Sequence, residues 1–232
     1  MADIEWCSRK RSFSNVESND KDQEQTDDKK IKNNGPVIAD KPDNLKVFTL
    51  DREVYFYTSF DNLSSIAFQK EVSKVYKSLV DAVNNAKNNG FNVKLPPIVI
   101  HINSPGGGIF SSFSMIDYLL QLKHSDKRVK IHTIVEGRAA SAATLLSVTG
   151  DKRYITKYGY MLIHQLSSVC WGKYNELKDD MENCDILMER IKEIYKTHTK
   201  VPEDDMDKIL SHDLYWNAEK CLEMGLVDEI IE

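Results

Sequence analysis

The strongest constraint on the fold is an alternation along residues 47–150 between short β-branched or aromatic runs and longer segments with apolar residues at helical spacing. VFTL (47–50) and VYFYTSF (54–60) read as strands on β-propensity. Ile66, Val72, Val75, Tyr76, Leu79 and Val83 then recur at helical spacing up to Gly90, which closes the helix after Asn-rich residues. The pattern repeats with PPIVIHIN (96–103) as a strand, IFSSFSMIDYLLQL (109–122) as a helix, VKIHTIV (129–135) as a strand and ASAATLLSV (140–148) as a helix stopped at Gly150. Alternation of this kind implies crossover units, and therefore a largely parallel sheet with helices on its faces. The expected fold class is α/β.

Two short strands follow, RYIT (153–156) and YMLI (160–163). Beyond them Leu177, Met181, Cys184, Leu187, Ile191, Ile194 and Tyr195 are spaced for one long helix between residues 173 and 199. A helix of that length after the sheet is expected to project from the body; its amphipathic pattern suits an oligomer contact as well as a core cap. PEDDMDKILS (202–211) and NAEKCLEMG (217–225) read as short helices, and LVDEII (226–231) as a closing strand.

Residues 1–46 break the pattern. They are dominated by Asp, Lys, Asn, Ser, Gln and Glu, too polar to bury enough surface to offset chain entropy. The segment is expected to be a disordered tail, a solubilising leader in preference to a partner-recruiting extension, leaving residues 47–232 as one domain. With 41% hydrophobic and 29% charged residues, the whole chain has the composition of an ordinary globular protein. Its net charge of -5 is spread over mixed acids and bases, which argues against nucleic acid as a ligand.

The longest apolar runs, such as 95–102, fall far short of the ~20 residues of a membrane span, so no membrane association is expected. MADIEWCSRKRSF lacks the apolar stretch of ~7–15 residues found in a secretory signal, which points to the cytoplasm, with an organelle left open. Cys7, Cys170, Cys184 and Cys221 show no paired spacing, so idle or buried thiols are expected, with no metal and no cofactor.

Three segments could carry chemistry. In HINSPGGGIF a glycine run joins a buried strand to a helix, so backbone amides there can face an anion or a developing oxyanion; a plain tight turn reads equally well. In IVEGRAASAATLLSVTG, Ser141 stands among small residues after a strand and at a helix start, where the Ala142 amide and the helix dipole would assist a hydroxyl. Taken alone, Ser141 reads as an N-cap. In YGYMLIHQLSS, His164 closes an apolar strand, from which an imidazole can take a proton from a serine on a neighbouring element. His101 and His132 lie inside strands and read as structural; His124 and His198 read as surface residues. Together the segments supply an amide-lined loop, a serine and a histidine, the parts that acyl transfer requires.

INSPGG (102–107), G-x-AAS-x-A (137–143) and M-L-I-HQ (161–165) occur here in the order in which they occur in ClpP-type peptidases, and the chain resembles that family. The likeness continues through Thr197-His198-Thr199, Trp216-Asn217-Ala218-Glu219 and Gly225-Leu226-Val227-Asp228, and covers residues 47–231. It implies the ClpP/crotonase fold, peptide-bond hydrolysis through an acyl-enzyme, and rings of seven subunits, single or stacked as fourteen, around a closed chamber. Unfolded polypeptides or peptides would be the substrates, fed by an AAA+ unfoldase. Ser141 would attack, His164 would shuttle the proton, and the amides of Gly106 or Gly107 and of Ala142 would hold the oxyanion.

The third member of the triad departs from the family pattern. Counting back from Asn217-Ala218 places Ile209 where the family carries its aspartate. Asp213 and Asp207 lie nearby, and Asp213, in a connection expected to return to the sheet edge, is the expected partner of His164. Ala142 after the serine and SSVCWGKYNE after the histidine also depart from the common pattern and mark a divergent member. An inactive ring subunit, a crotonase-like acyl-CoA enzyme, and a capsid-maturation or signal-peptide peptidase of the same superfamily are the alternative readings.

Overall fold

Residues 47–56 form a tight hairpin of β1 (Val47–Leu50) and β2 (Glu53–Phe56), paired antiparallel. Both turn residues, Asp51 and Arg52, have positive φ, the combination that matches the twist of the flanking strands in a two-residue turn. Helix α1 (Asn62–Asn88) starts at Asp61, whose carboxylate accepts from the Ser64 N–H while the Ser64 hydroxyl accepts from the Asp61 N–H. Phe68, Val72, Val75, Leu79 and Val83 form its buried stripe, each contributing about 1.5–3 kcal/mol if fully transferred from water. The computed structural model describes residues 46–232. The polar tail expected over residues 1–46 lies outside the described residues, save Lys46.

The remaining elements follow as β3 (Ile98–Ser104), α2 (Ile109–Ser125), β4 (Ile131–Ala140), α3 (Ala142–Val148), β5 (Lys152–Thr156), β6 (Tyr160–Leu162), α4 (Tyr174–His198), α5 (Glu203–Leu210), β7 (Trp216–Asn217), α6 (Ala218–Glu223) and β8 (Glu229–Ile231). The class is α/β, as the alternation predicts. The sheet runs β1-β2-β3-β4-β5-β8, with β6 attached to β4 and β7 to β6. Pairing is parallel except at the β1/β2 and β6/β7 contacts. Ile98, Ile100 and Ile102 of β3 and Ile131, Thr133 and Val135 of β4 are buried on one face, where α1 and α3 pack.

Strand β4 is the element on which the site depends. It extends five residues beyond the apolar run VKIHTIV, through a bulge in which Ile102 pairs with Val135 but Ser104 pairs with Ala139. Before the bulge its outer neighbour is β5, through His132–Val135; beyond it the neighbour is β6, through Arg138–Ala140. The long helix α4 buries only Ile191 and Tyr195, both in its C-terminal third. Its N-terminal part carries exposed Tyr174, Met181 and Ile186, in keeping with a helix that leaves the body. No helix among the described residues is long and apolar enough to cross a membrane.

Candidate active site

Strands β3, β4 and β6 are parallel neighbours, so their C-terminal ends share one edge of the sheet, with Ser104 beside Ala139 and Ala140 beside Leu162. In open parallel sheets that edge is where ligands bind. The three segments with chemical potential all leave from it: 105–108 from β3, Ser141 from β4 and His164 from β6.

Ser141 is not an ordinary helix cap. Its φ of 64° and ψ of -130° are rare for a residue with a β-carbon, and its side chain makes no capping bond. The surrounding structure holds this strained turn in place. Its N–H donates to Leu162 O at 2.8 Å, tying it to β6 two residues before His164, and its carbonyl accepts from Thr144 N–H at 2.9 Å. Its neighbours along the chain, Ala140, Ala142 and Ala143, are small and buried. Ser141 Oγ is buried and makes no hydrogen bond among the described residues.

The loop from β3 lies directly on that serine. A β-carbon on Gly106 would stand 2.6 Å from Ser141 Cβ and 3.0 Å from its Oγ, so only glycine allows this approach. Gly106 N–H donates to Ser104 Oγ at 3.1 Å, which commits that amide. Phe60 bridges the loop: its N–H donates to Gly106 O at 2.9 Å and its carbonyl accepts from Gly108 N–H at 2.8 Å. In a parallel bridge of this kind the residue between the two bonds turns its own N–H away from the bridging strand. Gly107 therefore keeps its N–H out of that bridge, and Ala142 N–H is the first of the four donors that a helix start leaves without an intrahelical partner.

His164 is 7% exposed, and its Nδ1 lies 2.6 Å from Asp213 Oδ1. The backbone brings them together: β6 and β7 pair antiparallel with Tyr160 opposite Asn217 and Met161 opposite Trp216, and the same register continued places Asp213 opposite His164. Gln165 N–H donating to Leu210 O at 2.7 Å fixes the far side of this connection. Burial lowers the His164 pKa below the ordinary imidazole value, and the Asp213 carboxylate offsets part of that shift. With Nδ1 committed to the carboxylate, Nε2 is the ring atom that would accept a proton.

The other acids near the family position stand elsewhere. Asp207, on α5, pairs with Lys192 at 3.2 Å and is strongly exposed, while Ile209 packs against the core. His101 is buried between Glu53 and Glu136, at 2.8 and 2.9 Å, under a stacked Tyr55 ring, and His132 is half-buried beside Tyr154. His124 is exposed as expected, but His198 is half-buried rather than a surface residue, because its carbonyl accepts from Arg153 where α4 ends against the body. Cys221 is buried, its thiol pushed up to about 12 by desolvation; Cys170 and Cys184 are half-buried, and Cys7 lies outside the described residues.

Sequence reasoning missed the residues that hold the loops. Ser104 could have been suspected, since it ends a buried strand within NSPGG. Phe60 and Ser112 gave no signal, because each acts through backbone groups of a distant segment; Thr144 acts on the Ser141 carbonyl three residues back, and Tyr195 acts through the Thr144 hydroxyl. Residues 57–232 match the family model described as Clp protease.

Proposed function

The chain belongs to the Clp protease family, and on that premise we propose that it is a serine endopeptidase in which Ser141 is the nucleophile, His164 the general base and Asp213 the group that orients it. The observation that carries this reading is the convergence of a strained serine, a glycine loop packed on its side chain and a histidine–aspartate pair on adjoining strand ends. Asp213 fixes the tautomer with the proton on Nδ1, so Nε2 takes the Ser141 proton as Oγ attacks the scissile carbonyl. The amides of Gly107 and Ala142 stabilise the oxyanion of the tetrahedral intermediate. His164 then returns the proton to the leaving amine, and a water repeats the sequence on the acyl-enzyme.

The resemblance to ClpP-type peptidases further supports unfolded polypeptides as substrates, an AAA+ unfoldase as their source and a heptameric or tetradecameric chamber. The unburied N-terminal part of α4 supplies an apolar surface for such an assembly. The deciding experiment is labelling with a fluorophosphonate probe followed by mass spectrometry of the modified peptide. Label on Ser141 is expected; an unlabelled protein, or label on another serine, would remove the assignment.

A further inference from the structure

The strained conformation of Ser141 persists only if contacts over-determine it, and those contacts lead to α4. Its carbonyl accepts two bonds from one residue, the Thr144 N–H at 2.9 Å and the Thr144 hydroxyl at 2.6 Å. A hydroxyl has a single proton, and Thr144 gives its own to Ser141. The 2.6 Å contact between Thr144 Oγ1 and Tyr195 OH is therefore one in which tyrosine donates. Burial raises the Tyr195 pKa and keeps the phenol protonated for that role. Tyr195 is fully buried on α4, and Thr144 is fully buried on α3.

The carbonyl of Ser141 and the N–H of Ala142 belong to one planar peptide unit and point in opposite directions. Whatever fixes the first aims the second. The next peptide is held as well, by Ser112 Oγ of α2 donating to Ala142 O at 2.9 Å.

We propose that Tyr195 and Thr144 are positioning residues, a hydroxyl relay that aims the Ala142 amide at the oxyanion and ties the C-terminal third of α4 to the catalytic turn. The proposal rests on the serine-peptidase reading. An amide aimed in advance stabilises the transition state without reorganising, so its loss appears in kcat and not in substrate binding.

The test uses the full chain, a fluorogenic peptide, and the variants Thr144→Ser, Thr144→Val, Tyr195→Phe and Thr144→Val/Tyr195→Phe. Thr144→Ser keeps the relay and is expected to retain wild-type turnover. Thr144→Val is expected to lose about ten- to a hundredfold in kcat, with KM within about twofold of wild type. Affinity for a peptide aldehyde, whose hemiacetal oxygen occupies the oxyanion position, should fall by the same factor. Tyr195→Phe should lose less in the same direction, and the double variant, which leaves neither hydroxyl unpaired, should be no worse than Thr144→Val. Unchanged kcat in Thr144→Val, a loss confined to KM, or additive losses in the double variant would overturn the relay. If wild type neither hydrolyses peptide nor takes the fluorophosphonate label, the peptidase reading itself falls. The relay is then decided by crystal structures of wild type and the double variant: a turned 141–142 peptide supports it, and an unmoved one overturns it.

Discussion

Each residue of the site has its chemistry set by a small number of neighbours, and substitutions can separate their parts. Ser141→Ala is expected to remove about six powers of ten in turnover while leaving the fold intact, because alanine keeps the β-carbon and loses only Oγ. Turnover of the purified variant on a fluorogenic peptide checks this, and near-normal activity would end the assignment. Asp213→Asn should cost about four powers of ten, since asparagine cannot fix the same tautomer. Its pH profile should also move. In the proposed mechanism His164 works as the neutral base, and burial lowers its pKa, so the acid limb of kcat/KM should lie below the ordinary histidine value of about 6.5. The Asp213 carboxylate raises that pKa, so replacing it with a neutral group should shift the limb to still lower pH. Asp207→Asn, which breaks only an exposed pair with Lys192, should leave both rate and limb unchanged. A thousandfold loss in Asp207→Asn with little in Asp213→Asn would reverse the assignment.

At the level of elements, much of the arrangement was legible because it is periodic. The stripe of α1 from Val72 to Val83, the isoleucines of β3 and the apolar run that opens β4 announce themselves through spacing, whereas Ile66, read into that stripe, is exposed and Phe68 is buried in its stead. What was not legible is non-local. The extension of β4 through Glu136-Gly137-Arg138 has no strand signature, and it exists because the bulge lets β6 replace β5 as its neighbour. Strand β7 has two residues, too few for any period, yet its register with β6 is what sets Asp213 against His164. The family offset counted back from Asn217 falls on Ile209, so Asp213 was expected only from its place in the connection back to the sheet edge. The glycine loop was visible as a motif, but its need for glycine comes from distant residues, Ser141 at Gly106 and Phe60 at Gly107. A β-carbon on Gly107, at φ 142°, would stand 2.5 Å from Phe60 O and 2.7 Å from Phe60 N, both rigid backbone atoms. Gly107→Ala should therefore displace the loop and lower kcat at least about a hundredfold, the cost of one oxyanion donor. Steady-state kinetics on folded protein tests it, and a loss under about threefold would show that Gly107 does not serve the oxyanion.

For the whole molecule, the question is what covers the first two-thirds of α4. No residue of this helix before Ile191 is buried, and Met181 and Ile186 are 60% and 62% exposed. Scattered apolar residues on a surface are ordinary, but an amphipathic helix whose first residues to pack on the core are Leu187 and Met188, after about three and a half turns, is not stabilised by propensity alone. In the proposed ring assembly a second copy of the chain supplies the missing partner. Met181→Glu/Ile186→Glu should then leave the thermal midpoint of the body nearly unchanged, since surface substitutions outside a core shift stability by about 0.5 kcal/mol or less. The same double variant should shift the assembly toward smaller species, because two carboxylates would be buried without partners at each contact. Native mass spectrometry at micromolar concentration reads this directly: wild type is expected as heptamer or tetradecamer, and the variant as monomer or a lower oligomer. A wild-type protein found only as monomer would refute the chamber, and a variant that assembles like wild type would show that this stretch of α4 faces solvent within the ring.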